Sequence, residues 1–204
     1  MTILVLGNES SWDELTAIKK DIQWKRANSM ADLTQSNDAL ACFNLSADAY
    51  FHDYSDIKKP VFINAVSKTL QEINAAKNIV RINGWNGFLK RTSWEIAGVL
   101  SEGHHEVLNA LQKKIIVTPD EPGFISARII SMIINEAFYA KGENISTENE
   151  IDIAMKLGTN YPYGPFEWAA SIGLKNIYDL LLSLGKNDMR YNPSPLLEQI
   201  AKDL

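Results

Sequence analysis

Apolar positions in the first 120 residues fall into short continuous runs, and most of these are separated by stretches of helical period. Ile3, Leu4, Val5 and Leu6 form the first run, followed by Gly7, and the polar Ser10 or Ser11 is placed to cap a helix on whose apolar face Leu15 and Ile18 recur. A run of this kind bounded by a glycine reads as a buried strand, and apolar residues three or four apart read as a helix. Further strand candidates lie at 40–43, 61–63, 79–82 and 115–117, with helical patterns at 68–76 and 105–111. Strands alternating with helices predict a parallel α/β sheet with crossover helices.

The pattern changes after Asp120. Pro122 and Gly123 punctuate the chain, and only helical periods follow. Ile125, Ile129, Ile130, Ile133, Ile134 and Ala137 would line a wide apolar stripe, with Gly142 as a stop;. Thr147 and Glu150 form a capping-box pattern ahead of Ile151, Ala154, Met155 and Leu157, and Gly158 is placed to close that helix;. Two more helices are expected over about 176–184 and 196–200. The expected organisation is an α/β domain over 1–119 and an all-helical domain over 120–204.

Composition adds exclusions. With 46% hydrophobic and 22% charged residues in 204, the chain can build an ordinary core;. A formal net charge of −5 argues against a general nucleic-acid or anionic-membrane binder;. No stretch reaches the ~18 apolar residues of a membrane span, and no signal-peptide pattern opens the chain. The single cysteine, Cys42, lies in an apolar run and reads as a buried thiol in a reducing compartment, so a cytoplasmic protein is expected;. His52, His104 and His105 show no metal-ligand spacing, and His104 and His105 read as surface residues near a helix start;. No nucleophile elbow is present.

Two segments carry a resemblance. One runs Asp120-Glu121-Pro122-Gly123-Phe124-Ile125, then Arg128 and Asn135-Glu136-Ala137. The other runs Ile151-Asp152-Ile153-Ala154-Met155-Lys156-Leu157-Gly158 through Asn160-Tyr161-Pro162 to Gly164-Pro165-Phe166-Glu167. Together with the tail at 190–197, they resemble the C-terminal domain of the 3-hydroxyacyl-CoA dehydrogenases, which oxidise a 3-hydroxyacyl thioester with NAD. The resemblance implies a shortened Rossmann-like domain before the helical one, an NAD(P) cofactor, an acyl-CoA ligand and a homodimer formed through the helical domain. No metal is implied.

The same resemblance assigns residues. Gly7 matches the first glycine of the dinucleotide fingerprint, whereas Glu9 and Trp12 stand at the second and third, where backbone must approach phosphate and a helix must pack closely;. Residues 23–28 offer no carboxylate for a ribose, and Lys25 or Arg26 would suit a 2′-phosphate instead. The family's Asn-Thr-Ser-Ser run aligns with Asn64-Ala65-Val66-Ser67, which makes Asn64 the second cofactor-binding candidate and puts Val66, or Ser67 after a one-residue shift, at the catalytic serine. The family's catalytic His-Glu pair aligns with Asn83 and Glu95, and Asn86 matches the motif's asparagine. The asparagine expected after Pro-Gly-Phe-Ile falls at Ala127. A carboxamide at 83 has no basic nitrogen for the proton of a 3-hydroxyl. The expected function is therefore a family member with a degenerate cofactor loop and no catalytic histidine. The alternative is a non-catalytic acyl-CoA-binding protein or dimeric scaffold.

Overall fold

A computed structural model describes residues 1–18, 21–36 and 38–204. It resolves into two compact units, Met1–Phe124 and Ile125–Leu204.

The first unit is a seven-stranded sheet, β1 (Thr2–Leu6), β2 (Gln23–Ala27), β3 (Ala41–Asn44), β4 (Val61–Asn64), β5 (Ile79–Ile82), β6 (Ser93–Ala97) and β7 (Lys114–Val117), in the order β2-β1-β3-β4-β5-β6-β7. All neighbours are parallel except β5 and β6. The expectation of a parallel sheet is corrected there for a geometric reason. Residues 83–92 connect those strands without a crossover element, and a parallel return needs about a dozen residues or more;. Central strands are buried on both faces, which accounts for their continuous apolar runs;. One face packs Ile3, Val5, Phe43, Phe62 and Ile82 against Leu15 of α1 (Glu9–Thr16) and Val107, Leu108 and Leu111 of and after α3 (Glu102–Ala110). Phe43 and Phe62 face each other in register and stack with ring centroids 4.5 Å apart. The other face packs Leu4, Cys42, Val61 and Ile63 against Leu33 of α2 (Met30–Gln35), Tyr54 and Ile57.

Several local expectations change. Asn8, not Ser10 or Ser11, caps α1, accepting from the Ser11 backbone at 2.8 Å. Residues 68–76 form turns rather than a helix. The Glu72 carboxylate takes the Thr69 N–H, Asp120 takes those of Leu70 and Gln71, and Asn74 adopts a left-handed φ of 49°. Each of these diverts backbone from a helical ladder.

The second unit contains α4 (Ile125–Gly142), α5 (Glu148–Thr159), α6 (Pro165–Ile172), α7 (Leu174–Gly185) and α8 (Pro195–Lys202), and α4 contacts each of the other four. Ile130, Ile134 and Ala137 are buried on α4, whereas Ile125 and Ile129 are each 53% exposed. The buried Asn135 ties α4 to the segment before α8, donating to the Asn192 carbonyl at 2.9 Å and accepting from the Ser194 N–H at 2.7 Å. At the α5–α6 corner, Asp152 accepts from the backbone N–H groups of Phe166 and Glu167 at 2.8 and 3.1 Å, and Glu167 returns to the Gly164 N–H at 2.9 Å. A Cβ on Gly164 would lie 2.3 Å from the Asp152 carboxyl carbon, so the position admits only glycine without rearrangement. Gly164, Pro165 and Glu167 are therefore the N-terminal cap of α6, and the reason for their pattern is structural;.

Candidate active site

Strand order reverses between β1 and β3, the point in an open α/β sheet where ligands bind beyond the carboxyl ends of the strands;. Gly7 follows β1 at this edge, Asn64 ends β4, Asn83 follows β5, and Asn86 lies in the turn beyond it. Chain direction alone thus brings four of the five candidates to one edge. The fifth, Glu95, is on β6. Ile82 pairs with Ile96 in the antiparallel register, and Asn83 and Glu95 are the next residues along the chain on either side of that pair. Asn83 is buried and Glu95 half-buried.

The loop that carries Asn83 and Asn86 is held from three directions. The Asn83 side chain accepts from the Trp85 N–H at 3.4 Å, and Asn64 Oδ1 accepts from the Gly84 N–H at 3.2 Å. A Cβ on Gly84 would come within 2.9 Å of that of Asn64, so glycine permits this approach. From α1, Glu14 Oε1 accepts the Gly87 N–H at 2.5 Å, while its Oε2 is buried with no hydrogen-bond partner among the described residues. Further along, Lys113 donates to the Leu89 carbonyl at 2.9 Å and lies over the Trp94 ring, and burial lowers its amine to about 8. Glu14 was not legible as a candidate. It pairs across 73 positions of sequence, and its only local signal is a carboxylate on the half-buried face of α1.

At the β1–β3 reversal, a Cβ on Gly7 would lie 3.0 Å from that of Leu45, which is 2% exposed. Asn8 occupies the helix terminus that follows. Glu9 is paired with Arg26 at 2.6 Å, and the Arg26 guanidinium lies 5.5 Å from the Trp12 ring centre. Lys25 is paired with Asp38. Val66 is buried, with its carbonyl accepting from the Gly123 N–H at 2.6 Å, and Ala127 is buried within α4.

The histidines stand apart from this edge in different ways. His52 pairs with Asp48 at 3.3 Å, and His105 is exposed. His104 is fully buried, which corrects its reading as a surface residue. Its Nδ1 lies 2.7 Å from the Ser101 hydroxyl within the α3 capping box, its ring meets Phe62 edge-on, and burial holds it below the usual histidine range. No group of His, Cys, Asp and Glu suited to a metal occurs among the described residues. No helix among them is long and apolar enough to cross a membrane.

The first unit is a Rossmann-like sheet, and a helical unit follows it in the chain. Residues 123–203 match the family described as 3-hydroxyacyl-CoA dehydrogenase, C-terminal domain. The 3-hydroxyadipyl-CoA dehydrogenase of Escherichia coli K12 is 43% identical over 91 residues, covering 44% of this chain and 19% of that protein. The 3-hydroxybutyryl-CoA dehydrogenase of Bradyrhizobium diazoefficiens is 41% identical over 98 residues, covering 47% of this chain and 33% of that protein. The matched region is thus a third or less of each of these relatives' length. In fold, (S)-3-hydroxybutyryl-CoA dehydrogenase from Ralstonia eutropha superimposes with a TM-score of 0.69 at 18% identity, over 99% of this chain and 93% of that one. Residues 123–203 thus resemble the C-terminal domain of the 3-hydroxyacyl-CoA dehydrogenases, and the likeness of the rest of the chain is one of fold.

Proposed function

We propose that this protein keeps the frame of the family but has lost its hydride-transfer reaction, through loss of the catalytic base and of the cofactor loop. What supports this reading is the carboxamide of Asn83, which stands at the position of the family's histidine, next along the chain from the Ile82–Ile96 pair whose other neighbour is Glu95. A carboxylate placed beside an imidazole can orient it and stabilise its protonated form. Beside a carboxamide, it has no base to assist. General-base catalysis contributes about 10²–10⁴-fold in rate, and that contribution is forfeited here.

The turn after β1 supports the same reading, because its residues do not fit a dinucleotide. A pyrophosphate needs bare backbone and unsatisfied N–H groups at a helix start. Here Leu45 fills the space beside Gly7, Asn8 takes the Ser11 N–H, and Glu9 brings a carboxylate whose positive partner, Arg26, is already engaged. The engagement of Lys25 by Asp38 likewise leaves a 2′-phosphate with a weaker attraction. Neither NAD nor NADP is therefore expected to bind tightly.

The reading extends to an acyl-CoA ligand held without turnover and to a homodimer through the helical unit. The relatives' acyl-CoA substrates motivate the first, and the exposed Ile125 and Ile129 the second. A cytoplasmic setting is supported by the unpaired, buried Cys42, whose thiol burial pushes up to about 11.

The test is an assay with acetoacetyl-CoA and NADH or NADPH, followed by absorbance, on the wild type and on Asn83→His. No family-like turnover is expected from the wild type and only a small gain from the variant, since the turn after β1 is unchanged. Family-like turnover by the wild type, or micromolar NADH affinity by calorimetry, would falsify the reading. A titration with acyl-CoA then separates a ligand-binding protein from a purely structural partner.

A further inference from the structure

The crossovers from β3 to β4 and from β4 to β5, residues 45–60 and 65–78, contain no α-helix. A doubly wound sheet ordinarily covers each face with such helices. Turns and a short 3-10 segment (Ala49–Phe51) cover this part instead, and a cavity of about 490 Å³ opens between the two connections. One wall is the aromatic run Tyr50, Phe51 and Tyr54, and the opposite wall is Ile73, Asn74, Ala75 and Ala76, apolar but for the one carboxamide. The cavity is separate from the strand edge that carries Asn83, since Ile73 to Ala76 precede β5 at its amino end.

We propose that this cavity binds a small organic cation of the alkylammonium class. Three features of the lining select that chemistry. Ring faces attract a cation through their quadrupole, most strongly when several converge. The Tyr50 and Phe51 rings lie 4.4 Å apart at 47° to each other, and Phe51 is 76% exposed, a large apolar side chain left open to whatever enters. Second, Asp53 is the only carboxylate among the described lining residues, none of which is lysine or arginine, and the one histidine there, His52, is paired with Asp48. Third, the Asp53 carboxylate is fixed in place. Its Oδ1 accepts from the Ser55 N–H at 2.8 Å and its Oδ2 from the Ser55 hydroxyl at 3.1 Å, and these bonds hold its carboxyl below the usual carboxylate range. An anion would meet Asp53 without a compensating charge. A neutral apolar ligand would gain nothing from that carboxylate.

This inference is independent of the reading of the Asn83 edge, because the two sites share no residue. The experiment is calorimetric titration of the full chain with choline, and in parallel with its uncharged carbon analogue 3,3-dimethyl-1-butanol. Saturable choline binding is expected in the millimolar range or tighter, with the analogue at least tenfold weaker. Phe51→Ala and Asp53→Asn should each weaken choline binding at least several-fold, with circular dichroism unchanged. Both positions are exposed enough that folding does not depend on them, and an asparagine at 53 can still accept from Ser55. Absence of saturable choline binding overturns the proposal. So does equal affinity for the analogue, or choline affinity unchanged in both variants.

Discussion

Arg81 is the largest fully buried side chain in the first unit, and its position in β5 within an apolar run gives no hint of its role. Its guanidinium donates through Nε to Asp120 at 2.8 Å, through Nη1 to the Ala65 and Lys68 carbonyls, and through Nη2 to the Glu121 carbonyl at 2.9 Å, with the Phe124 ring 5.1 Å away. One side chain thus anchors both the turn after β4 and residues 120–124 to the sheet. Asp120 serves the same knot, since it also accepts from the N–H groups of Leu70 and Gln71. Removing one partner of a buried, hydrogen-bonded charge leaves the other groups short of theirs. Arg81→Met should therefore lower the stability of the first unit by about 3 kcal/mol, a typical value for breaking a buried pair. Asp120→Asn should cost less, because that side chain is 30% exposed and a carboxamide oxygen still accepts. Urea unfolding of both variants measures the difference, and equal midpoints for wild type and Arg81→Met would remove the anchor from the account.

Elements were legible where local signals and tertiary packing agreed. The continuous runs of β1, β3, β4, β5 and β7 and the Thr147–Glu150 box of α5 were read from sequence because each carries its own signal. Strand β6 was missed as a strand. It is short, mixes Ser93 and Glu95 with Trp94 and Ile96, and gains its place from antiparallel pairing with β5, which no local pattern announces. Gly7, Asn64, Asn83, Asn86 and Glu95 were named through the family resemblance, and the first four lie at or just beyond the carboxyl ends of strands. Glu14 needed the folded loop. At the α5–α6 corner the motif was visible, but its cause, the buried Asp152 seated on Gly164, required the structure. Gly164→Ala should cost about 1–3 kcal/mol, the range for forcing extra atoms into a packed site. Asp152→Ala in the same background should relieve the clash while losing both cap bonds, so the two substitutions should be non-additive. A double-mutant cycle on thermal unfolding checks this, and additive effects would show that the carboxylate and the glycine are not in contact.

At the scale of the whole molecule, the helical unit buries one side of the α4 stripe and leaves the other uncovered. Ile130 and Ile134 are 6% and 0% exposed, whereas Ile125 and Ile129 are each 53% exposed, one helical turn apart on a common line. On α5, Ile153 and Leu157 repeat the arrangement at 44% and 82% exposure, again one turn apart. Isolated apolar side chains on a surface need no explanation, but paired ones on two helices of one small unit would suit cover by another protein. A second copy is the simplest occupant, because a twofold contact uses the same patch on both sides. We therefore expect a homodimer at tens of micromolar, which sedimentation equilibrium would record as twice the chain mass. Ile129→Glu should shift that equilibrium strongly toward monomer, since it would place a charge in the expected contact, where burial without a partner is costly. Ile153→Glu should act in the same direction if α5 shares the contact, and should leave the dimer intact if α4 alone forms it. A wild-type protein that sediments as a monomer throughout this range would remove the second copy as the occupant of both stripes.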